Sequence, residues 1–214
     1  MKPFPAFETS RLLLRSLLAS DAAGVFSIYS NPEVTKFSEM ATLLNFSQAG
    51  QIIKRFQFEF EQDLGMRWAI ALKSDARVIG TCGLGWHRPN FSAYLSYDLA
   101  EEAWGRGFAT EALQPVVRFA FAANELNRLS ATTIPDNTAS IRVLKKLGFQ
   151  EEGILREWAF WKGKFQDLRC FSLLRNDLER ISRNHAIQSE TKDIARSPQR
   201  KRGMDGFVQG KATT

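Results

Sequence analysis

Along residues 8 to 180 the apolar positions follow two periods in turn: alternation, as in strands, and recurrence every three to four residues, as on helix faces. Residues 11 to 17, entered through Glu8-Thr9-Ser10, read as a strand. Residues 21 to 30 read as a short helix with Ser20 or Asp21 as its cap, closed by Asn31-Pro32. Ile52, Ile53, Phe56 and Phe60 predict a second helix over 47 to 63, ending near Gly65. Three strand-like runs follow, 67 to 72, 77 to 86 and 91 to 99, parted by the turn formers Lys73-Ser74-Asp75 and His87-Arg88-Pro89-Asn90. They predict an antiparallel meander. Ala112, Leu113, Val116, Val117, Ala120 and Phe121 then share one face of a helix that must pack on a sheet. Pro115 inside it should kink it or cost about 3 kcal/mol. A strand over 128 to 134 leads to a helix over 138 to 147, with Asn137 at its N-cap and Gly148 past its end. Two last strands, near 149 to 161 and 168 to 174, flank a Lys162-Gly163-Lys164 turn. No internal repeat interrupts this order.

A chain of 214 residues, 44% hydrophobic, can bury a core of its own, and nothing in it marks a second domain. One domain is expected over 8 to 180. The net charge of +6 suggests nucleic acid until its location is considered. Seven Lys or Arg against three Asp or Glu put +4 of it between 183 and 214, a stretch with few large apolar residues, expected to be a disordered or loosely docked tail. Such a tail can bind RNA or a ribosome, though solvated charge is the commoner outcome. Cys82 and Cys170 lie in apolar runs and read as buried thiols of a reducing compartment. No run is long enough to span a bilayer and no signal-peptide core opens the chain, so a cytoplasmic protein is expected. His87 and His185 are far apart, without paired cysteines, and no metal site is expected.

The chemistry concentrates in Trp104-Gly105-Arg106-Gly107-Phe108-Ala109-Thr110-Glu111, where two glycines open a helix directly after a strand. Glycine lets the backbone take positive φ and lets a ligand approach the main chain. The N–H groups of the first helical turn have no partners in the helix and sit at the positive end of its dipole, so the loop can cradle a phosphate. A tight turn without a ligand is the alternative.

The element order resembles that of the GNAT N-acetyltransferases over nearly all of residues 8 to 180. Ser96-Tyr97-Asp98-Leu99 followed by the glycine loop is similar to the RimJ/RimL branch of that family, the ribosomal-protein N-terminal acetyltransferases and their relatives. So is a second block, Asn137, Ser140, Val143-Leu144, Lys146 and Gly148-Phe149, and a third, Glu152-Gly153, Arg156, Gly163, Asp167 and Phe171-Ser172-Leu173-Leu174. Ser96 departs from the glycine that many members carry. The resemblance implies an α+β fold, with a mixed, mostly antiparallel central sheet of about seven strands, about four flanking helices, and splayed strands forming a coenzyme A cleft.

It also implies acetyl-CoA as co-substrate. Backbone N–H groups of Gly105, Arg106, Gly107, Phe108, Ala109 and Thr110 would hold the pyrophosphate, with the Thr110 hydroxyl and the Arg106 guanidinium as added donors and Trp104 at the head of the loop. The strand wall, Tyr97, Asp98 and Leu99, would take the pantetheine arm, with the Leu99 N–H stabilising the oxyanion, and Asn137 would bond the arm from the other wall. An amine attacks the thioester directly, so no nucleophilic Cys or Ser is required. Many GNAT enzymes place a tyrosine seven residues after the asparagine as acid for the thiolate. Here that place is Leu144, and Ser140, three residues after Asn137 on the same helix, is the candidate hydroxyl. Asp98, Glu101 and Glu102 are the nearby carboxylates, with Glu102 favoured as base, and only one of Tyr97 and Asp98 can line the cleft. The acceptor pocket falls on residues 31 to 45 and 156 to 167, near Phe37, Met40, Phe46, Trp158, Phe160, Trp161 and Phe165. A protein N-terminus or a small amine could be the acceptor, and monomer and homodimer both stay open. Two other functions remain: a CoA-binding sensor without catalysis, and a ribosome- or RNA-associated protein acting through the tail.

Overall fold

In the computed structural model, which describes residues 3 to 123 and 125 to 180, one open sheet organises the chain. Eight strands stand in the order β1-β2-β3-β4-β5-β6-β8-β7. They are β1 (Phe7–Glu8), β2 (Leu12–Ser16), β3 (Gly65–Leu72), β4 (Val78–His87), β5 (Ser92–Leu99), β6 (Arg128–Thr133), β7 (Gln150–Trp161) and β8 (Lys164–Leu174). Every neighbouring pair is antiparallel except β5 with β6. The α-helices that flank the sheet are α1 (Ala22–Tyr29), α2 (Pro32–Thr35), α3 (Phe46–Glu61), α4 (Phe108–Ala123) and α5 (Thr138–Lys146).

The predicted elements all form, with bounds shifted by a few residues, and two short ones join them. β1 and α2 have two and four residues, too few to display a period. Asp21 does not cap α1; its carboxylate instead accepts from the Leu18 N–H at 2.8 Å and from the Arg15 guanidinium at 2.7 and 2.9 Å. α4 continues through Pro115 as one helix, its apolar stripe still seated on the sheet. The tail expected from 183 onward lies outside the described residues.

Two layers of side chains hold the sheet. α1 and α3 bury Val25, Ile28, Tyr29, Ile53 and Phe56 against Ala69, Ala71, Val78 and Ala100. On the other side Leu113, Val116, Val117, Ala120 and Phe121 of α4 are buried. There Trp68, fully buried, meets Phe119 and Phe7 with ring centroids 5.9 and 5.7 Å away, and its indole N–H donates to the Pro5 carbonyl at 2.7 Å. Removing a buried aromatic of this kind costs about 3 to 5 kcal/mol. The packing therefore fixes α4, and with it the glycine loop, relative to the strands.

Candidate active site

The site begins where strand pairing ends. β5 and β6 run parallel and pair only over Ser92, Ala93 and Tyr94 with Arg128, Leu129 and Ser130. β5 then continues to Leu99 beside β4 alone, so the sheet opens between β5 and β6. The Ala100 N–H donates to the Ile79 carbonyl at 2.8 Å, and in an antiparallel ladder backbone groups alternate in direction. The N–H and C=O of Leu95, Tyr97 and Leu99 therefore face the opening. A buried opening lined by backbone donors and acceptors suits an extended, amide-bearing ligand that completes the ladder.

The head of the opening is the glycine loop. Gly105 and Gly107 have φ of 71° and 79°, the left-handed region that only glycine adopts without cost. The first bond of the α4 ladder runs from the Glu111 N–H to the Gly107 carbonyl, so the N–H groups of Phe108, Ala109 and Thr110 have no partner within the helix. The Trp104 indole N–H donates to the Leu99 carbonyl at 2.9 Å. That bond occupies the acceptor at the end of β5 and leaves the Leu99 N–H as the donor facing the opening there.

The far wall is the start of α5. Asn137 Oδ1 accepts from the Ser140 N–H at 3.1 Å, the expected N-cap. Tyr97 reaches across from β5, and its hydroxyl lies 2.8 Å from Ser140 Oγ and donates to the Ser140 carbonyl at 3.3 Å. Burial pushes the Tyr97 phenol up to about 12, against a smaller opposing effect of the Ser140 bond, so it stays a neutral donor at working pH. Leu144 is fully buried. Tyr97 thus sets a second hydroxyl beside that of Ser140, a pairing that only the three-dimensional arrangement reveals.

Asp98 points to the other face, as alternation along β5 requires. Its Oδ2 accepts from the Tyr29 hydroxyl at 3.0 Å and lies 3.5 Å from Arg67 Nη2, while Tyr29 also meets Thr81 Oγ1 at 2.7 Å. Its side chain is only 16% exposed. Burial raises the carboxyl above its ordinary value, and Arg67 and then Tyr29 partly offset that rise. Asp98, expected among the cofactor contacts, is turned away from the opening between β5 and β6. Its backbone faces β4 and its side chain faces α1.

The other two carboxylates sit outside. Glu102 is 55% exposed and pairs with Arg77 at 2.9 Å, and Glu101 accepts from Asn31 Nδ2 at 2.8 Å. A contact joins the two segments expected around an acceptor. Lys162, in the turn between β7 and β8, donates to the Thr35 carbonyl at the end of α2, and Trp158, Phe160 and Phe165 of that hairpin are exposed. Tyr29 and Arg67 carried no signal in the sequence beyond apolar and strand-like context. Among the described residues no helix is long and apolar enough to cross a membrane, and no cluster of His, Cys, Asp or Glu could hold a metal ion.

Known proteins share this fold. Residues 11–150 match the family model of the acetyltransferase (GNAT) domain. An uncharacterized N-acetyltransferase of Bacillus licheniformis, p20, is 38% identical over 170 residues, covering 79% of this chain and 96% of its own. The solved ribosomal-protein-S5-alanine acetyltransferase from Vibrio fischeri superposes with a TM-score of 0.72 at 22% identity, over 81% of this chain and 98% of that one. RimJ of Mycobacterium smegmatis, in complex with CoA-disulfide, gives 0.72 at 24% identity over 82% and 88%.

Proposed function

The chain belongs to the GNAT family and is an acetyl-CoA-dependent N-acetyltransferase, and within that activity we propose a protein or peptide N-terminal α-amine as the acceptor, acetylated in the cytoplasm. The observation that carries this reading is Asp98, the one carboxylate of the three near the loop that is buried. Burial makes it a somewhat stronger base than an ordinary carboxylate, and Arg67 and Tyr29 limit that rise. An α-amine with a pKa of about 7.7 to 8.0 loses its proton at pH 7 for roughly 1 kcal/mol, whereas a lysine at about 10.4 needs roughly 4 to 5 kcal/mol. A single carboxylate restrained by an arginine suits the first. The V. fischeri neighbour is named for an alanine of a ribosomal protein, which points the same way.

Bound acetyl-CoA supplies the activated acetyl group, and the chain supplies alignment and proton handling. The first turn of α4, with Gly105 and Gly107, fits the pyrophosphate, and the open edge of β5 with Asn137 fits the pantetheine arm. The Leu99 N–H is directed to hold a carbonyl oxygen as negative charge grows on it. Ser140, backed by the neutral Tyr97 phenol, gives a hydrogen bond to the departing sulfur. Asp98 receives the amine proton in place of the surface residue Glu102, directly or through a water. The deciding experiment measures free thiol released from acetyl-CoA against a panel of N-terminal peptides, the same peptides with blocked N-termini and an internal lysine, polyamines and aminoglycosides. Release with free N-termini alone is expected. Release with the blocked lysine peptides or small amines overturns the acceptor, and none at all above hydrolysis means a CoA binder without transferase activity.

A further inference from the structure

Before the glycine loop, the chain has already placed an arginine beside it. The Glu111 carboxylate, three residues into α4, is saturated by the segment between β1 and β2. Oε1 accepts from Thr9 Oγ1 at 2.6 Å, Ser10 Oγ at 3.0 Å and the Arg11 N–H at 2.8 Å, and Oε2 accepts from Arg11 Nε at 2.7 Å and lies in ion-pair contact with its Nη2 at 2.6 Å. Glu111 has no capacity left for substrate. What it does is hold the Arg11 guanidinium in one place.

That place is the loop. Arg11 Cζ lies 4.2 Å from the centre of the Phe108 ring, and its Nη2 is 3.6 Å from where a Cβ on Gly107 would stand. Arg106 covers the same ring, 4.9 Å from its centre. Two guanidinium groups thus converge on the first residue of α4, at the N-terminal, positive end of a 16-residue helix, and Glu111 pairs with one of them, Arg11. A guanidinium has five N–H donors in a plane, and the side-on pair with Glu111 uses only its Nε and Nη2 edge. The Arg11 side chain is 46% exposed, so a ligand can reach it from solvent.

We infer that Arg11 is a second phosphate-binding arginine of the acetyl-CoA site, pre-set by Glu111 and acting with Arg106 on phosphate oxygens of the coenzyme. This rests on the glycine loop as the coenzyme's phosphate cradle. Because the side chain is already fixed by an ion pair and a ring stack, binding does not have to order it, which is where most long cations lose affinity. The pyrophosphate and the 3′-phosphate offer the same chemistry, and ligand truncation separates them.

The test is calorimetric titration of the full chain and its Arg11→Gln and Arg11→Lys variants with CoA, dephospho-CoA and pantetheine, alongside urea unfolding of each. Arg11→Gln is expected to weaken CoA by roughly tenfold or more, the size of one charge-assisted hydrogen bond, and to leave pantetheine unchanged. Arg11→Lys should recover part of the loss. A loss that persists with dephospho-CoA assigns Arg11 to the pyrophosphate, and one that disappears assigns it to the 3′-phosphate. Equal affinity of wild type and Arg11→Gln for CoA overturns the inference, as does the same fold-loss for CoA and pantetheine, which would mean that Arg11 acts only through the fold. If Arg11→Gln does not fold, the CoA to pantetheine ratio of Arg11→Lys decides in the same way. A wild type that binds pantetheine as tightly as CoA refutes the cradle itself, a distinct failure.

Discussion

Replacing Glu111 by Gln isolates the clasp between the N-terminal segment and the loop helix. Five donors converge on the two oxygens of Glu111. A glutamine offers one carbonyl oxygen and one NH2 group, so whichever way the amide turns, at least one fixed donor meets another donor. Partial burial alone would raise the carboxyl, but the bonds from Thr9, Arg11 and Ser10 outweigh it and hold the group at about 2, against its ordinary 4.5. That fall corresponds to roughly 3 kcal/mol. Arg11 is half exposed, so solvent screens part of the pair, and we expect Glu111→Gln to cost about 1.5 to 2 kcal/mol. For a domain of this size that is a drop in Tm of roughly 4 to 8 °C. The sign with pH follows from the lowered value: the stabilisation is complete above about 4.5 and is lost as pH falls toward about 2. Urea unfolding of both proteins at pH 7 and pH 3 checks it, with the gap between them expected to shrink to less than half. A gap that is equal at the two pH values, or absent at pH 7, would refute the reasoning.

Three further outcomes follow from the same geometry. Asp98→Asn should lower turnover by about 10² to 10⁴. It should also abolish the acid limb of the pH–rate profile, which arises because Asp98 must be ionised and its pKa lies above the ordinary value; wild-type turnover would remove Asp98 as the base. Trp104→Phe keeps a ring but frees the Leu99 carbonyl, and should lower kcat by roughly fivefold, the size of one hydrogen bond, with CoA affinity nearly unchanged in a binding titration. Ser140→Ala and Tyr97→Phe should each lower turnover, and the double variant should fall by less than the product of the two, because both residues serve one hydrogen-bonded pair; multiplicative losses in a double-mutant cycle would separate them.

The geometry around the glycine loop was legible in the sequence because its signals are local. The glycine loop, the Asn137 cap and the opposite orientations of Tyr97 and Asp98 each depend on a few consecutive residues and the period of one element. The surroundings of Asp98 depend on register instead. Arg67 meets Asp98 across β4, and Tyr29 reaches the same carboxylate from α1, over separations of 31 and 69 residues that no periodicity encodes. Proximity to the loop made Glu102 the favoured base, yet neighbours in sequence diverge once a strand ends. Asp98 is the last residue but one of β5 and is carried under α1, whereas Glu102 lies on the single turn after the strand and is left to Arg77 at the surface. The same reasoning explains why Arg11 escaped notice: as the first residue of a predicted strand it reads as an edge charge, and only the pairing of β1 with β2 brings its guanidinium over Phe108. A charged residue at a strand end therefore carries little meaning until the neighbouring helix terminus is located. Here that terminus belongs to the one helix that opens on two glycines.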